Sequence, residues 1–187
     1  DSVTKKPAKR VPAVPFTTSS MQQEAARKLR FTVSKTMRLA QSLYEAGHIT
    51  YMRTDSCSLS QEAIRNIKTE VIKQYGESYH QARQFKTKIK GAQEAHEAIR
   101  PTSMKNHVVG ANTDERKLYE LIWKRTLASQ MADASFEKTR IEITSPLASY
   151  HFVANGEVML FDGFMRVYSQ SSEDDNAMQA LPPVQEG

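Results

Sequence analysis

The sequence predicts an α+β fold, in which a mainly helical domain with a short sheet is joined to an antiparallel β segment. Between residues 18 and 131, apolar residues recur at helical spacing behind residues that cap helices. Beyond Ser135 the period changes, and apolar residues alternate with charged ones as in a half-buried strand. The start of the chain holds three prolines among basic residues, which indicates an extended linker or an edge strand, because proline lacks a backbone donor.

These changes of pattern predict three segments. Residues 1–15 form the extended segment, residues 16–134 the helical domain, and residues 135–187 the β-rich segment. Within the last segment, Asn155-Gly156 lies between two apolar runs and predicts a β-hairpin turn.

The helices of the second segment are predicted from caps and stop signals. Ser20 with Gln23 resembles a capping box, and glycines end the second and third helices. The predicted helices are bounded by Ser20 and Leu29, Ser34 and Gly47, Ser58 or Ser60 and Gly76, Ala95 and Arg100, and Thr113 and Met131. A short strand is predicted over residues 48–54, after the second helix.

Composition narrows the functional classes. The formal net charge of +5 and a pI of about 9.3 suit a polyanionic partner, although charge does not identify one. Cys57 is the one cysteine, which excludes an internal disulfide or a cysteine-rich zinc site in these 187 residues and suits a reducing cytosol. No apolar run approaches the roughly 20 residues needed to cross a bilayer, and the polar start is not a signal peptide.

The stretch around Tyr51 pairs a phenol with a guanidinium. In an extended segment, Tyr51 and Arg53 project from the same face. A free tyrosine, with a pKa near ~10, is a weak nucleophile, and a neighbouring cation favours its phenolate. Arginine also matches the geometry of phosphate oxygens. A tyrosine that simply packs with its hydroxyl satisfied is the alternative interpretation.

A second candidate cluster lies in residues 94–101. On a helix, His96 and Arg100 are one turn apart and are both able to face a phosphate. The alternative is an exposed helix with a Glu97–Arg100 ion pair. A zinc site is not predicted, because the second histidine of a His-Glu-x-x-His motif is absent.

Together these stretches resemble the bacterial type IA DNA topoisomerase family, in its topoisomerase I branch. The residues that carry the resemblance are PFTTSSMQQEAARKL at 15–29, KTMRLAQSLYEAGHITYMRTDS at 35–56, SLSQEAI at 58–64, EAHEAIRPT at 94–102 and LYELIWKRTLASQM at 118–131. Two positions depart from the family pattern: Cys57 replaces a familiar threonine, and Arg30 replaces a glycine at the end of the first helix.

The resemblance implies a role for each candidate residue. Tyr51 matches the nucleophile that forms a 5′-phosphotyrosyl bond with single-stranded DNA, and Arg53 matches the arginine that holds the scissile phosphate. His96 matches a histidine that contacts phosphate near the cleavage point. The matching polar residues close to the bound strand are Gln41, Glu45 and Thr50, and Arg100 is added as a DNA contact from its spacing to His96.

The resemblance also implies what this chain lacks. The family binds Mg2+ through an acidic cluster in a Toprim domain, and nothing in this sequence resembles that domain. We therefore expect a fragment that carries the catalytic-tyrosine domain and part of the adjoining arch domain, binds no metal and is inactive alone. The expected partners are DNA, chiefly single-stranded, and the Toprim domain of the same chain. No membrane partner is expected, the fragment is expected to be monomeric, and the expected location is the cytoplasm, at the bacterial nucleoid.

Two other functional classes stay open on sequence grounds. A non-catalytic single-stranded DNA-binding module would have the same basic charge. A purely structural helical adaptor would need Tyr51 and Arg53 to be buried in a core.

Overall fold

The computed structural model describes residues 2–85, 97–144 and 151–168, and it confirms the α+β class. The chain divides into two compact units. The helical unit covers Pro12–Ala132, and the sheet unit uses residues up to Val11 and resumes at Asp133. No helix among the described residues is long and apolar enough to cross a membrane.

The described residues of the helical unit form four α-helices: α1 (Thr18–Leu29), α2 (Val33–Glu45), α3 (Gln61–Tyr75) and α4 (Thr113–Ser129). Each begins behind a side chain that accepts a hydrogen bond from the first turn, and these caps are Thr17, Thr32, Ser60 and Asn112.

The first helix begins earlier than predicted because Ser20 is not its cap. Thr17 caps α1, and Ser20 is the third helical residue, whose hydroxyl accepts from the Thr17 N–H at 2.9 Å. The capping box is therefore present but lies three residues nearer the N-terminus than predicted.

The core of this unit is built around α4, which packs against α1, α2 and α3. Leu118, Ile122 and Leu127 are fully buried there, and Trp123 is nearly so. Apolar residues at helical spacing along α4 thus face the core.

Two predicted elements of this unit are wrong. Residues 48–54 form no strand, because their backbone groups bond to two separate parts of the chain, and Ile49 makes only an isolated bridge with Pro101. Residues 97–100 are not helical. Ile99 instead bridges Phe16, and the proline at 101 disfavours helical backbone in the residue before it.

The sheet unit is a three-stranded antiparallel sheet in the order β1 (Ser2–Arg10), β2 (Ala134–Thr144) and β3 (His151–Phe161). The hairpin turn predicted at Asn155-Gly156 is wrong. Both residues lie inside β3, opposite Arg140 and Thr139 of β2, because the apolar runs on either side of them belong to one continuous strand. Residues 145–150, between β2 and β3, lie outside the described residues.

Arg30 ends α1 in the left-handed conformation, with φ 58° and ψ 31°. Its N–H donates to the Ala25 carbonyl, so the left-handed helix end common for glycine is kept without a glycine. A side chain in this conformation is strained, because Cβ crowds the following carbonyl.

Arg30→Gly is therefore expected to raise the free energy of unfolding by about 0.5–1 kcal/mol. Arg38→Gly on the exposed face of α2 is the matched control, and it is expected to lower that free energy by about 1 kcal/mol. Urea unfolding of the two variants measures both effects. Equal destabilisation by the two substitutions would contradict the left-handed geometry at Arg30.

Candidate active site

One side of the Tyr51 segment, residues 48–54, is held by hydrogen bonds to residues 98–102. The Thr50 hydroxyl donates to the Ala98 carbonyl at 2.7 Å and accepts from the Arg100 N–H at 2.9 Å. The Thr50 N–H donates to the Arg100 carbonyl at 2.9 Å, and the Thr102 N–H donates to the His48 carbonyl at 3.0 Å. The backbone immediately before Tyr51 is thereby fixed.

The other side of the segment is held by the first residue of α1. The Thr18 hydroxyl donates to the Met52 carbonyl at 2.7 Å and accepts from the Thr54 N–H at 2.8 Å. The Thr18 N–H donates to the Thr54 carbonyl at 2.9 Å. Tyr51 therefore lies between two anchored stretches of backbone.

Two side chains of the segment are buried although no strand forms. The Met52 side chain is 4% exposed and Ile49 is 1% exposed, so both anchor the segment in the core. Tyr51 is 43% exposed, and Arg53 is exposed as well. The two residues predicted to carry the chemistry thus both face solvent, which excludes the buried arrangement that a purely structural adaptor requires.

Arg53 has no ion-pair or hydrogen-bond partner among the described residues. An exposed guanidinium without a carboxylate neighbour keeps its donors available for an anion. Within the described part of the chain, no hydrogen bond reaches the Tyr51 hydroxyl either.

Tyr44 contributes a second aromatic ring to the site. It lies near the end of α2, is 41% exposed, and meets the Tyr51 ring edge-on with centroids 5.2 Å apart. Such a contact limits the orientations of the Tyr51 ring at little energetic cost. No motif in the sequence indicated that Tyr44 is part of the site.

Tyr119 shows what a structural tyrosine looks like in this fold. It is 1% exposed, and its hydroxyl donates to the Asn106 carbonyl at 2.6 Å. Burial raises the pKa of Tyr119 to about 12, so the phenol stays protonated. Tyr51 is exposed and its hydroxyl has no hydrogen-bond partner among the described residues, which favours a chemical role for that hydroxyl.

Arg100 is already engaged within the protein. Its guanidinium donates to Glu97 at 2.6 and 3.2 Å and to the Pro101 carbonyl at 3.0 Å. The other Glu97 oxygen accepts from the Ser60 N–H at 2.6 Å, at the start of α3. The Glu97–Arg100 pair given as an alternative on sequence grounds is therefore present, although residues 97–100 are not helical.

Glu97 is held in its charged form by these donors. Burial alone would raise its pKa, but the hydrogen bonds from Arg100 and Ser60 outweigh that effect and leave the pKa below its usual value. The Glu97–Arg100 pair thus stabilises residues 98–100, whose backbone bonds to Thr50.

Three of the remaining predicted residues, Gln41, Glu45 and Thr50, lie in the described part of the chain. Gln41 and Glu45 are exposed on α2, and the Gln41 amide donates to Glu45 at 2.8 Å. The Thr50 hydroxyl has its backbone partners and is not directed to solvent as a free donor. His96 lies outside the described residues.

No group of three or more His, Cys, Asp or Glu side chains suited to a metal ion occurs among the described residues. Cys57 is a half-buried free thiol. These residues therefore do not fit a metal site.

Thr18 is the anchoring residue that sequence reasoning missed. It precedes the backbone groups it holds by 34 and 36 positions, so no local pattern connects them. The adjacent Thr17 is of the same type and only caps α1.

Comparison with known proteins places the whole chain in one family. A family model described as DNA topoisomerase matches residues 1–187. A DNA topoisomerase 1 of Zymomonas mobilis is 50% identical over 178 residues, which cover 94% of this chain and 14% of that protein. A DNA topoisomerase 1 of Mycolicibacterium smegmatis is 47% identical over 202 residues, which cover 100% of this chain and 22% of that protein.

A solved structure agrees with this assignment. Full-length topoisomerase I from Thermotoga maritima matches with a TM-score of 0.83 and 37% identity, covering 100% of this chain and 31% of that chain. The chain thus spans less than a third of the length of each of these proteins.

The hydrogen bonds that Glu97 accepts from Arg100 and Ser60 predict that the free energy of unfolding depends on pH. Because its pKa is lower in the folded than in the unfolded state, the stabilisation is present above the usual value of 4.5 and is lost as the pH falls through the lowered value. Glu97→Gln is expected to lower the free energy of unfolding by about 1 kcal/mol at neutral pH. In acid, Glu97→Gln and the unsubstituted chain should have the same free energy of unfolding.

Glu77→Gln, at an exposed glutamate, is the matched control and should show no such dependence on pH. If the loss of unfolding free energy caused by Glu97→Gln is the same in acid as at neutral pH, the charged Glu97 does not stabilise the fold as proposed.

Proposed function

The chain belongs to the DNA topoisomerase family, and from that premise we propose that it carries the nucleophile of a type IA DNA topoisomerase. The observation that carries the proposal is the exposure of Tyr51 and Arg53 on either side of the buried Met52. The resemblance of the YMRTDS motif assigns the chemistry to these same two residues.

Tyr51 is the proposed nucleophile. Its oxygen attacks a phosphodiester of single-stranded DNA, a bond forms between phosphorus and the phenolic oxygen, and the bond to the 3′ oxygen breaks. The phenol loses its proton and the departing 3′ oxygen gains one. The product is a 5′-phosphotyrosyl ester with a free 3′-hydroxyl, and attack by that hydroxyl reverses the step. Because the ester conserves the bond energy, passing a strand and relaxing negative supercoils needs no ATP.

Arg53 is proposed to bind the scissile phosphate. A guanidinium with no internal partner among the described residues is free to donate to two phosphate oxygens and to stabilise the charge that develops there. His96 is proposed as a second phosphate contact from the resemblance alone.

The other proposed DNA contacts already make hydrogen bonds within the protein. Gln41 and Glu45 are exposed and bond to each other, so a strand above α2 would have to engage or replace that bond. Arg100 would have to use its remaining N–H groups or release Glu97. Thr50 supports the site chiefly through its backbone contacts.

The proposed chemistry of these residues contains no metal step. We propose that Mg2+ binds to the Toprim domain that the resemblance implies, since the described residues offer no suitable cluster. That domain and single-stranded DNA are the proposed partners, and the cytoplasm, at the nucleoid, is the proposed location.

Tyr51→Phe in a full-length topoisomerase carrying this chain tests the proposal. The substitution removes the nucleophilic oxygen and keeps the ring, so covalent cleavage should fall to background while noncovalent binding persists. Cleavage is measured on a single-stranded oligonucleotide labelled at its 3′ end, by the label retained on denatured protein. Binding is measured across a salt series, because phosphate contacts make affinity fall with salt.

Tyr44→Phe is the matched control, since Tyr44 contacts Tyr51 but is not the proposed nucleophile. It should retain covalent cleavage. Adducts of undiminished yield with Tyr51→Phe would refute the assignment, and binding without adducts in the unsubstituted protein would favour the non-catalytic module.

The 187-residue chain alone is expected to form no covalent adduct, because nothing in its sequence resembles the Toprim domain that is proposed to bind Mg2+. The same 3′-labelled oligonucleotide, with Mg2+ present, provides the measurement, and the full-length protein is the positive control. Adducts formed by the chain alone would show that its own residues suffice for cleavage.

A further inference from the structure

The Thr18 hydroxyl holds both peptide groups that flank Arg53. It donates to the carbonyl of Met52 at 2.7 Å and accepts from the N–H of Thr54 at 2.8 Å. Only the two backbone dihedral angles of Arg53 separate those peptide groups. A single side chain from α1 thus fixes the backbone conformation of Arg53.

We propose that Thr18 is a positioning residue for the cleavage reaction, acting through Arg53 and the adjoining Tyr51. This inference rests on the proposed function. Among the described residues Thr18 makes no hydrogen bond to either side chain, and its effect passes through the backbone of the Tyr51 segment. A long arginine side chain with no internal partner samples many orientations, so the position of its Cα decides where its guanidinium can reach.

The hydroxyl is needed because the Tyr51 segment has no regular structure to hold it. Without a strand, the Met52 carbonyl and the Thr54 N–H rely on Thr18 for these hydrogen bonds. Thr18→Val keeps the shape of the side chain and removes both bonds. The backbone bond from the Thr18 N–H to the Thr54 carbonyl, at 2.9 Å, is independent of the side chain and keeps the segment attached. The expected result is a segment that is folded but less well aligned.

Thr17 provides a matched control on the neighbouring residue. Its hydroxyl caps α1 by accepting from the Ser20 N–H at 3.2 Å, and in the described part of the chain it makes no hydrogen bond to residues 52–54. Thr17→Val should therefore weaken the start of the same helix without releasing the backbone of Arg53. Thr18→Ser keeps the hydroxyl and should restore its bonds.

The experiment compares these variants in a full-length topoisomerase carrying this chain, below the unfolding temperature of each. Single-turnover cleavage of a 3′-labelled single-stranded oligonucleotide gives the rate, and fluorescence anisotropy gives the Kd. Thr18→Val is expected to cleave about 10-fold more slowly than Thr17→Val, because a small misplacement of a reacting group is costly in rate. Its Kd should stay near that of Thr17→Val, and Thr18→Ser should recover most of the rate.

Equal cleavage rates for Thr18→Val and Thr17→Val would overturn the inference. So would a rate loss in Thr18→Val that Thr18→Ser fails to recover, or one that is matched by an equal rise in Kd. These results presuppose adducts in the unsubstituted protein. If that protein forms none while Tyr51 is intact, the proposed function fails first, and the two failures are distinguished in the same assay.

Discussion

The structure of the site depends on hydrogen bonds that hold an irregular stretch of chain from two sides. Neither a helix nor a strand fixes residues 48–54, so threonine hydroxyls at positions 18 and 50 satisfy backbone groups that a sheet would otherwise pair. Met52 anchors the stretch in the core between them. This arrangement leaves Tyr51 and Arg53 facing outward on a backbone that is not free to move. An exposed side chain on an anchored backbone suits the pre-organised chemistry proposed for Tyr51.

Charge is distributed so that the arginine near Tyr51, the proposed nucleophile, has no ion-pair partner among the described residues. Arg100 bonds to Glu97, which in turn accepts from the start of α3, and this pair stiffens the chain that holds Thr50. Arg53 has no such partner among the described residues. The guanidinium of Arg100 therefore stabilises the fold, and the guanidinium of Arg53 keeps its donors for the proposed phosphate contact. The difference comes from the carboxylate three residues before Arg100, since no carboxylate in the described chain bonds to Arg53.

The features that the sequence predicted correctly are those set by local chemistry. Capping residues and helical periodicity located all four helices within a few residues, although Ser20, predicted as a cap, is the third residue of α1. The wrong strand, helix and hairpin share a cause, because each concerned a short stretch whose hydrogen-bond partners lie in another part of the chain. The Asn155-Gly156 signal was overridden by continuous pairing with β2, and the contacts of Thr18 cross more than thirty residues. Tyr51 and Arg53 were identified from a motif, and their common exposure follows from the burial of Met52 rather than from a strand.

The most direct test locates the covalent bond itself. A full-length topoisomerase carrying this chain is denatured during cleavage of a single-stranded oligonucleotide, digested with protease and nuclease, and mapped by tandem mass spectrometry. The account predicts a 5′-nucleotide linked through phosphate to the Tyr51 oxygen. A nucleotide found on Tyr44 instead, whose ring centroid lies 5.2 Å from that of Tyr51, would contradict it.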